Sequence, residues 1–338
     1  MTATYVKRFV IGHVAVLMHI ANEDLSARIG QWLSDFEVER FDENDEENAI
    51  VVVIRGLRRG EPIPYKIPAG VEAHHESEAA SYYRGDGLWI VAGKNGGAAF
   101  VDRSRKTIGM YVDSENVKTS QGALEHAMHP LFELLRQQGL YICHAGGVAD
   151  GAYGLLLPGK SGQGKSTLSV DLMSGGLAYL SDDRVFLRET DRGFEMIGFY
   201  EPARLFASNV SHLPGLADGA RPSEVAGKEE VDIRAKARNW GLTAELNALL
   251  FPQWAAGEKS RLEPIAPGQA LMTILPLTLV CFDPETSKAQ FDFLARLARL
   301  PAMRLIMGDD RERWRELAAE FIRNNREERA WKSGQESR

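Results

Sequence analysis

The sequence predicts a mixed α/β fold in two domains: a larger domain built around a strand, a glycine-rich loop and a helix, preceded by a smaller α+β domain. A chain of 338 residues is too long for one ordinary small hydrophobic core, and 44% of its residues are hydrophobic, which is enough to fill two cores. Strand-like apolar runs alternate along the chain with segments of helical periodicity. A glycine-rich octapeptide stands between one such run and one such helix, and this order is typical of a phosphate-binding α/β unit.

The smaller domain is predicted over residues 1–118. An apolar run at 9–17 is typical of a strand, and Asn22 is a candidate N-cap for a helix with apolar residues on one face. Further strand-like runs, separated by turns rich in Gly and Asp, occupy residues 49–54, 87–92, 98–101 and 107–112. We expect these elements to form a small α+β module.

The larger domain is predicted over residues 119–323, and it begins with a helix at 123–138 whose apolar residues share one face. Its later elements are strand-like runs at 141–143, 145–149, 153–157, 177–180, 275–282 and 303–307, and a closing helix at 311–321. Residues 324–338 are polar and charged, so they predict a disordered tail. The mixture of hairpins and helices predicts a mixed sheet.

The composition and charge of the chain limit the kinds of molecule that we expect it to bind. Asp and Glu number 47 against 40 Lys and Arg, and the resulting charge of −7 argues against a nucleic-acid-binding face. Cys143 and Cys281 lie far apart in apolar runs, so we expect buried free thiols in a reducing compartment. The apolar stretch near the N-terminus is interrupted by Gly12, His13 and His19, which does not favour a targeting or membrane segment. We expect a cytoplasmic protein with no membrane or nucleic-acid partner, and the sequence is compatible with a homo-oligomer.

The octapeptide fits the phosphate-binding pattern G-x-x-x-x-G-K-[ST]. Glycines lack the Cβ that would keep the backbone away from a phosphate, and they permit positive φ, so successive N–H groups converge on an anion at the start of the helix. Backbone amides are therefore expected to hold the α- and β-phosphates of a nucleotide. The predicted nucleotide-binding residues are Gly159, Lys160, Ser161, Gly162, Gln163, Gly164, Lys165, Ser166 and Thr167.

Four side chains in and beyond the loop have expected roles. Lys165 can reach the β- and γ-phosphate oxygens, and the hydroxyl of Ser166 is the expected protein ligand for Mg²⁺. The apolar run 177–180 is followed by Asp182 and Asp183. One carboxylate can complete the Mg²⁺ shell, and the other can accept the proton of an attacking hydroxyl or water. An Asp pair is also ordinary in a solvated turn at a strand end.

His144 and the segments around it carry a family resemblance. The residues His-Ala-Gly-Gly-Val from His144, the glycine loop, and Tyr-Leu-Ser-Asp-Asp-Arg-Val-Phe-Leu at 179–187 resemble the catalytic domain of HPr kinase/phosphorylase and related kinases, distant relatives of phosphoenolpyruvate carboxykinase. The resemblance implies a P-loop kinase domain, ATP with Mg²⁺, and phosphoryl transfer to a hydroxyl. Without the resemblance, a histidine in an apolar run is also typical of a core residue whose ring nitrogens have hydrogen-bond partners.

The resemblance also implies roles for single residues. In the family's pattern Asp182 is the general base, Asp183 joins the Mg²⁺ network with Ser166, Lys165 contacts the phosphates, and His144 lies beside the γ-phosphate or the acceptor. The family's Glu-x-Arg-Gly signature is not visible. Its nearest counterpart is Glu201-Pro-Ala-Arg204, where Arg204 is either a phosphate clamp or part of a surface salt bridge, and Lys228 is either a phosphate contact or part of a solvated turn.

Two functions of different classes follow. The leading hypothesis is an ATP-dependent kinase that acts on a hydroxyl of a small molecule or on a serine of a peptide or protein, with acceptor recognition by the smaller domain. The alternative is a nucleotide-gated binding module with slow hydrolysis. Carboxykinase-like chemistry on a small acid is a third hypothesis, but it needs further metal-binding Lys and His residues that the sequence does not identify.

Overall fold

A computed structural model of the chain describes residues 4–336 apart from 59, 65, 67, 69–70, 77–79, 86, 95–96, 120, 211–218, 235–240 and 279–282. The chain divides into two compact units, Met1–Gln138 and Gly139–Arg338. Each unit contains a large sheet of mixed parallel and antiparallel strands, so the fold is mixed α/β. Cys143 is a buried free thiol, whereas Cys281 lies outside the described residues. No helix in the described part of the chain has the length and apolar character needed to cross a membrane.

The first unit is built on a sheet with the strand order β1-β2-β3-β8-β7-β6-β5-β4. Its strands are β1 Tyr5–Ile11, β2 Val14–Ile20, β3 Ile50–Leu57, β4 Glu72–Glu76, β5 Ala80–Arg84, β6 Leu88–Gly93, β7 Gly97–Asp102 and β8 Thr107–Asp113. Its helices are α1 Glu23–Trp32, α2 Glu43–Asn48, α3 Ser114–Thr119 and α4 Gln121–Gln137. The predicted cap of α1 is confirmed, because Asn22 Oδ1 accepts a hydrogen bond of 2.9 Å from the Leu25 amide.

Helix α4 belongs to the first unit. The sequence places the domain boundary at 118/119 and assigns this helix to the second domain, whereas the division between the compact units falls at 138/139. The reason is tertiary: α4 packs against α3, β7 and β8, and its residues Leu124, Met128 and Leu131 are buried. The polar residues just before the predicted boundary, at 114–118, belong to α3.

The second unit has a main sheet with the order β12-β10-β11-β18-β14-β13-β9, extended by β20 beside β18 and by β19 beside β20. These strands are β9 Tyr141–Cys143, β10 Ala145–Asp150, β11 Tyr153–Pro158, β12 Ala178–Ser181, β13 Val185–Thr190, β14 Gly193–Gly198, β18 Thr243–Trp254, β19 Arg261–Pro264 and β20 Ala302–Met307. A small sheet holds β15 Ala203–Phe206, β16 Arg221–Pro222 and β17 Lys228–Val231. The helices are α5 Lys165–Ser174, α6 Ala207–Val210, α7 Pro267–Ile274, α8 Pro284–Leu297 and α9 Arg311–Glu336.

Helices cover both faces of the second sheet. Successive side chains of a strand point to opposite faces, and β11 follows this rule with two apolar clusters. Leu156 packs in a cluster with residues of α7 and α8, whereas Leu155 and Leu157 pack in a cluster with residues of α5 and α9. Strand β11 is therefore fully buried, and it holds the glycine loop that follows it in a fixed position.

Two segments of the second unit differ from the sequence-based expectation. Within the strand predicted at 275–282, the first part, Leu275–Leu277, forms a 3₁₀ turn, because Pro276 cannot donate a ladder hydrogen bond, and residues 279–282 lie outside the described residues. The segment predicted as a tail from residue 324 is helical, since α9 continues to Glu336. Arg326 of this segment forms an ion pair of 2.7 Å with Asp150, which ties the helix to the end of β10.

Gly154 lies where β11 runs parallel to β18, and a side chain has no room there. A Cβ at this position would lie 2.5 Å from the Glu245 carbonyl oxygen, and the Gly154 amide donates to Asn247 Oδ1 at 3.0 Å. We expect Gly154→Ala to lower the free energy of unfolding by about 1–3 kcal/mol, the usual cost of overpacking. Gly268→Ala is the control, because its added Cβ meets nothing within 4 Å. Urea denaturation checks this, and equal midpoints for the two variants would contradict it.

Candidate functional site

The glycine loop joins β11 to α5 and has the backbone shape of an anion cradle. Gly162 and Gly164 adopt positive φ of 85° and 98°, and Gly164 is the N-cap of α5. The amide of Lys160 donates to Gln163 Oε1 at 2.6 Å, which closes the loop on itself. A Cβ on Gly159 would lie 2.7 Å from the same oxygen, so a side chain there would displace the Gln163 amide from this hydrogen bond. The loop thus presents backbone amides at a helix N-terminus, where anions bind.

Helix α5 is anchored by a buried carboxylate. Asp171 Oδ1 accepts from Arg311 Nε at 3.0 Å, and its other oxygen lies 3.2 Å from Arg315 Nε. Burial raises the pKa of Asp171, while the two arginines of α9 oppose this shift. The position of the helix after the loop therefore depends on α9.

Lys165, the first residue of α5, is only 5% exposed. Its Nζ lies 3.0 Å from His144 Nε2 and donates to the Lys160 carbonyl oxygen at 3.2 Å. Burial lowers the pKa of Lys165, and the nearby carboxylates of Asp183 and Asp182 partly offset this effect. The Lys165 ammonium is thus held within the loop and lies within hydrogen-bond distance of His144.

His144 connects Lys165 to Asp183. Its Nδ1 lies 3.2 Å from Asp183 Oδ1. As an ammonium, Lys165 only donates, so Nε2 of the imidazole accepts and Nδ1 carries the proton that is donated to Asp183. The backbone amide of His144 donates to the Leu277 carbonyl oxygen at 2.8 Å, and this hydrogen bond holds the backbone of His144 in place.

A second cation holds the other side of the Asp183 carboxylate. Arg184 Nη2 lies 3.4 Å from Asp183 Oδ2, and Arg184 Nη1 donates to Glu201 Oε1 at 3.1 Å. Glu201 is buried. Asp183 is therefore fixed from two directions, by His144 and by Arg184.

Asp182 lies beneath the loop and is 3% exposed. Tyr179 Oη donates to its Oδ1 at 2.8 Å, and the Ser166 hydroxyl also donates to this carboxylate. Burial and the charge of Asp183 raise the pKa of Asp182 to about 6, against the effect of these hydrogen bonds and of Arg204. The two adjacent carboxylates thus have different partners: Asp182 pairs with the loop serine, and Asp183 pairs with His144.

A cavity of about 280 Å³ lies in front of the loop. Its lining brings together most of the predicted site residues, namely His144, Ser161, Gly162, Gly164, Lys165, Ser166, Thr167, Asp183 and Arg204. Three residues of the loop do not line the cavity, namely Gly159, Lys160 and Gln163. Asp182 does not line it either, but it accepts a hydrogen bond from Ser166, which does. Of the two adjacent carboxylates, Asp183 lines the cavity and Asp182 does not.

Arg204 and Lys228 also line the cavity. Arg204 Nε lies 3.4 Å from Glu230 Oε1 on the paired strand, so the salt bridge considered in the sequence is present in a residue that also lines the cavity. Lys228 Nζ lies 5.4 Å from the centre of the Phe206 ring. The cavity therefore has cationic groups on the small sheet as well as on the loop.

Several site residues escaped the sequence analysis. Arg184 could have been found from its position directly after the Asp pair. Asn209, whose Nδ2 donates to Thr167 Oγ1 at 3.1 Å, and the wall residues Trp254, Met307 and Trp314 belong to segments with no local motif. Only the packing of these segments against the loop identifies them.

The residues present fit a bound triphosphate and a hard divalent cation. Gly162 leaves the cradle open, because a Cβ on it would meet nothing within 4 Å and that space is available to a ligand. The oxygens of Ser166 and Asp182 are the kind of ligand that Mg²⁺ prefers, and such sites usually supply only one or two protein ligands beside phosphates and water. Among the described residues, no group of three or more His, Cys, Asp or Glu side chains could hold a metal ion.

The chain has a distant likeness to proteins of known structure. No protein-family model and no curated protein matches the chain. Among solved structures, the chain is similar to the Hpr(Ser) kinase/phosphatase from Coxiella burnetii, with 16% sequence identity and a TM-score of 0.33. The match covers 58% of this chain and 96% of that chain. At this level of similarity, the function has to be argued from the site itself.

Proposed function

We propose that this chain transfers the γ-phosphoryl group of ATP to a hydroxyl group of a small molecule, a peptide or a protein serine. The observation that carries the proposal is the cavity in which an anion-binding loop, a buried lysine and a carboxylate oriented by a histidine meet. Phosphoryl transfer requires mainly positioning and charge stabilisation from the protein, and these groups supply both.

The loop would bind the donor. Its amides and the N-terminus of α5 would hold the phosphates, Lys165 would contact the β- and γ-phosphate oxygens, and Thr167 would lie at the phosphate edge, oriented by Asn209. Ser166 and Asp182 would hold Mg²⁺, because their oxygens already lie together. When bound, Mg²⁺ neutralises negative charge on the phosphate oxygens.

Asp183 would accept the proton of the acceptor. As the acceptor oxygen forms its bond to the γ-phosphorus, the bond from that phosphorus to the bridging oxygen breaks, the hydroxyl proton passes to the carboxylate, and ADP leaves. His144 and Arg184 orient the carboxylate for this step. These roles reverse those of the family's pattern for the two carboxylates, because Asp183 lines the cavity whereas Asp182 lies beneath it.

The proposal is tested with γ-labelled ATP and Mg²⁺, offered with serine peptides, small alcohols and water as acceptors. We expect label to move to an acceptor, or slowly to water, and we expect this activity to fall by about 10²–10⁴-fold in Asp183→Asn. If the wild-type protein binds ATP but yields neither transfer nor hydrolysis, the proposal is wrong, and the nucleotide-gated binding module becomes the better account.

A further inference from the structure

Part of the cavity wall is aromatic and has no role in the chemistry proposed above. Trp254, Trp314 and Met307 line the cavity together with Gly162 and Gly164 of the loop. All three lie in the C-terminal half of the unit, at the ends of β18 and β20 and in α9. They form a surface beside the phosphate cradle, which we call the tryptophan wall.

The tryptophan wall is joined to the loop by direct packing. A Cβ on Gly164 would lie 3.1 Å from Met307 Cε, so the methionine side chain rests against the N-cap of α5. Met307 pairs with Trp254 in the parallel ladder of β18 and β20, which puts the two backbones one strand spacing apart. When the phosphates of a ligand occupy the cradle, the group attached to those phosphates therefore lies close to Trp254.

Trp254 is held in place and still exposed. Its ring packs edge-on against Trp314, with ring centres 5.8 Å apart and planes at 84°. Trp314 is buried, and its indole N–H donates to the Gly308 carbonyl oxygen at 3.1 Å. Trp254 itself is 47% exposed. An indole that packs against one neighbour and keeps nearly half of its surface exposed in a cavity can take a flat aromatic ring by offset stacking.

We propose that Trp254 is the stacking platform for the base of the nucleoside triphosphate donor. The inference rests on the proposed function and adds to it the residue that recognises the base of the donor, a contact that an inorganic polyphosphate held by the cradle alone cannot make. Stacking of a base on an aromatic side chain tolerates any base, because every base has a π face. Trp254 thereby contributes affinity for the donor while the loop and Asp183 carry out the transfer.

The test compares ATP with inorganic tripolyphosphate, both with Mg²⁺, by titration calorimetry on the full chain. We expect ATP to bind the wild-type protein at least about 10-fold more tightly than tripolyphosphate, the increment that base stacking provides. Trp254→Ala should weaken ATP binding by about 10-fold and leave tripolyphosphate binding unchanged, whereas Trp254→Phe should retain ATP affinity within about 3-fold. Unchanged tripolyphosphate binding shows that the variant is folded.

Phe291→Ala is the matched control, because Phe291 is 46% exposed on α8 and does not line the cavity. Equal affinity of the wild-type protein for ATP and tripolyphosphate, or unchanged ATP affinity in Trp254→Ala, would overturn the stacking platform and leave the proposed function standing. If neither ligand binds the wild-type protein, the proposed function falls, and the platform falls with it.

Discussion

We expect Asp183→Asn to lower the rate of phosphoryl transfer by about 10²–10⁴-fold, the contribution typical of a positioned general base. The asparagine oxygen can still accept from His144 Nδ1, which lies 3.2 Å from Asp183 Oδ1, but an amide cannot take the acceptor's proton. ATP binding should not weaken, because the carboxylate repels the donor's phosphates. Rates with γ-labelled ATP and dissociation constants from calorimetry check both statements, and a loss confined to ATP affinity would contradict them.

Asp182→Asn separates the roles of the two carboxylates. If Asp182 and Ser166 hold Mg²⁺, this variant should need a higher Mg²⁺ concentration for half-maximal activity, whereas Asp183→Asn should not. The opposite assignment, taken from the family's pattern, would exchange these two results. Because burial raises the pKa of Asp182, its ionised form is unfavourable in the fold, and the neutral asparagine should unfold no more readily than the wild-type protein. Asp292→Asn, at an exposed position of α8, is the control.

Lys165→Met should lower kcat/KM for ATP by about 10²–10³-fold, because it removes a positive charge that acts in a site shielded from water. Lys165 is 5% exposed, and burial lowers its pKa, so the protein already disfavours the charged form in the absence of nucleotide. Methionine keeps an unbranched apolar stem, and we expect the free energy of unfolding to stay the same or to rise.

The control for this variant is Lys288→Met, which removes a charge from an exposed position of α8. Steady-state kinetics and urea denaturation of both variants give the comparison. An active Lys165→Met protein with normal ATP affinity would show that the loop does not hold the triphosphate in the proposed way.

The glycine loop could be predicted from the sequence because its shape is determined locally. The positive φ of Gly162 and Gly164 and the start of α5 at Lys165 follow from residue types within a single stretch of eight. The strand before the loop was equally accessible, since a short apolar run between turn residues is typical of a buried strand. His144 could be named as a candidate, but its contact with Lys165 crosses 21 positions and needed the fold.

The roles of the carboxylates could not be predicted in the same way. Adjacent residues after a strand face opposite sides, and the sequence therefore predicts a division of roles between Asp182 and Asp183. The side to which each carboxylate points depends on how β12 pairs with β10. This pairing contains a register shift between Gly147 and Val148. No local pattern encodes such a shift, so the residues alone leave the assignment of the two roles open, and our proposal differs from the one that the resemblance implies.

The domain boundary and the tryptophan wall depend on contacts between distant parts of the chain. Polar residues before α4 suggested a linker, but the apolar face of the helix finds its partners in β7 and β8 of the first unit. Trp254 has no motif around it, and it becomes a site residue only because β18 lies beside β20, whose last residue contacts the loop. Sequence periodicity gives the elements, whereas their pairing requires the tertiary structure.

The buried ion pairs of Asp171 join parts of the chain that lie far apart in the sequence. Arg311 lies 140 positions after the aspartate. A buried charge that lacks its partner costs about 3–5 kcal/mol. We therefore expect a chain that ends before residue 311 to lack a stably packed α5, even though it contains the whole glycine loop.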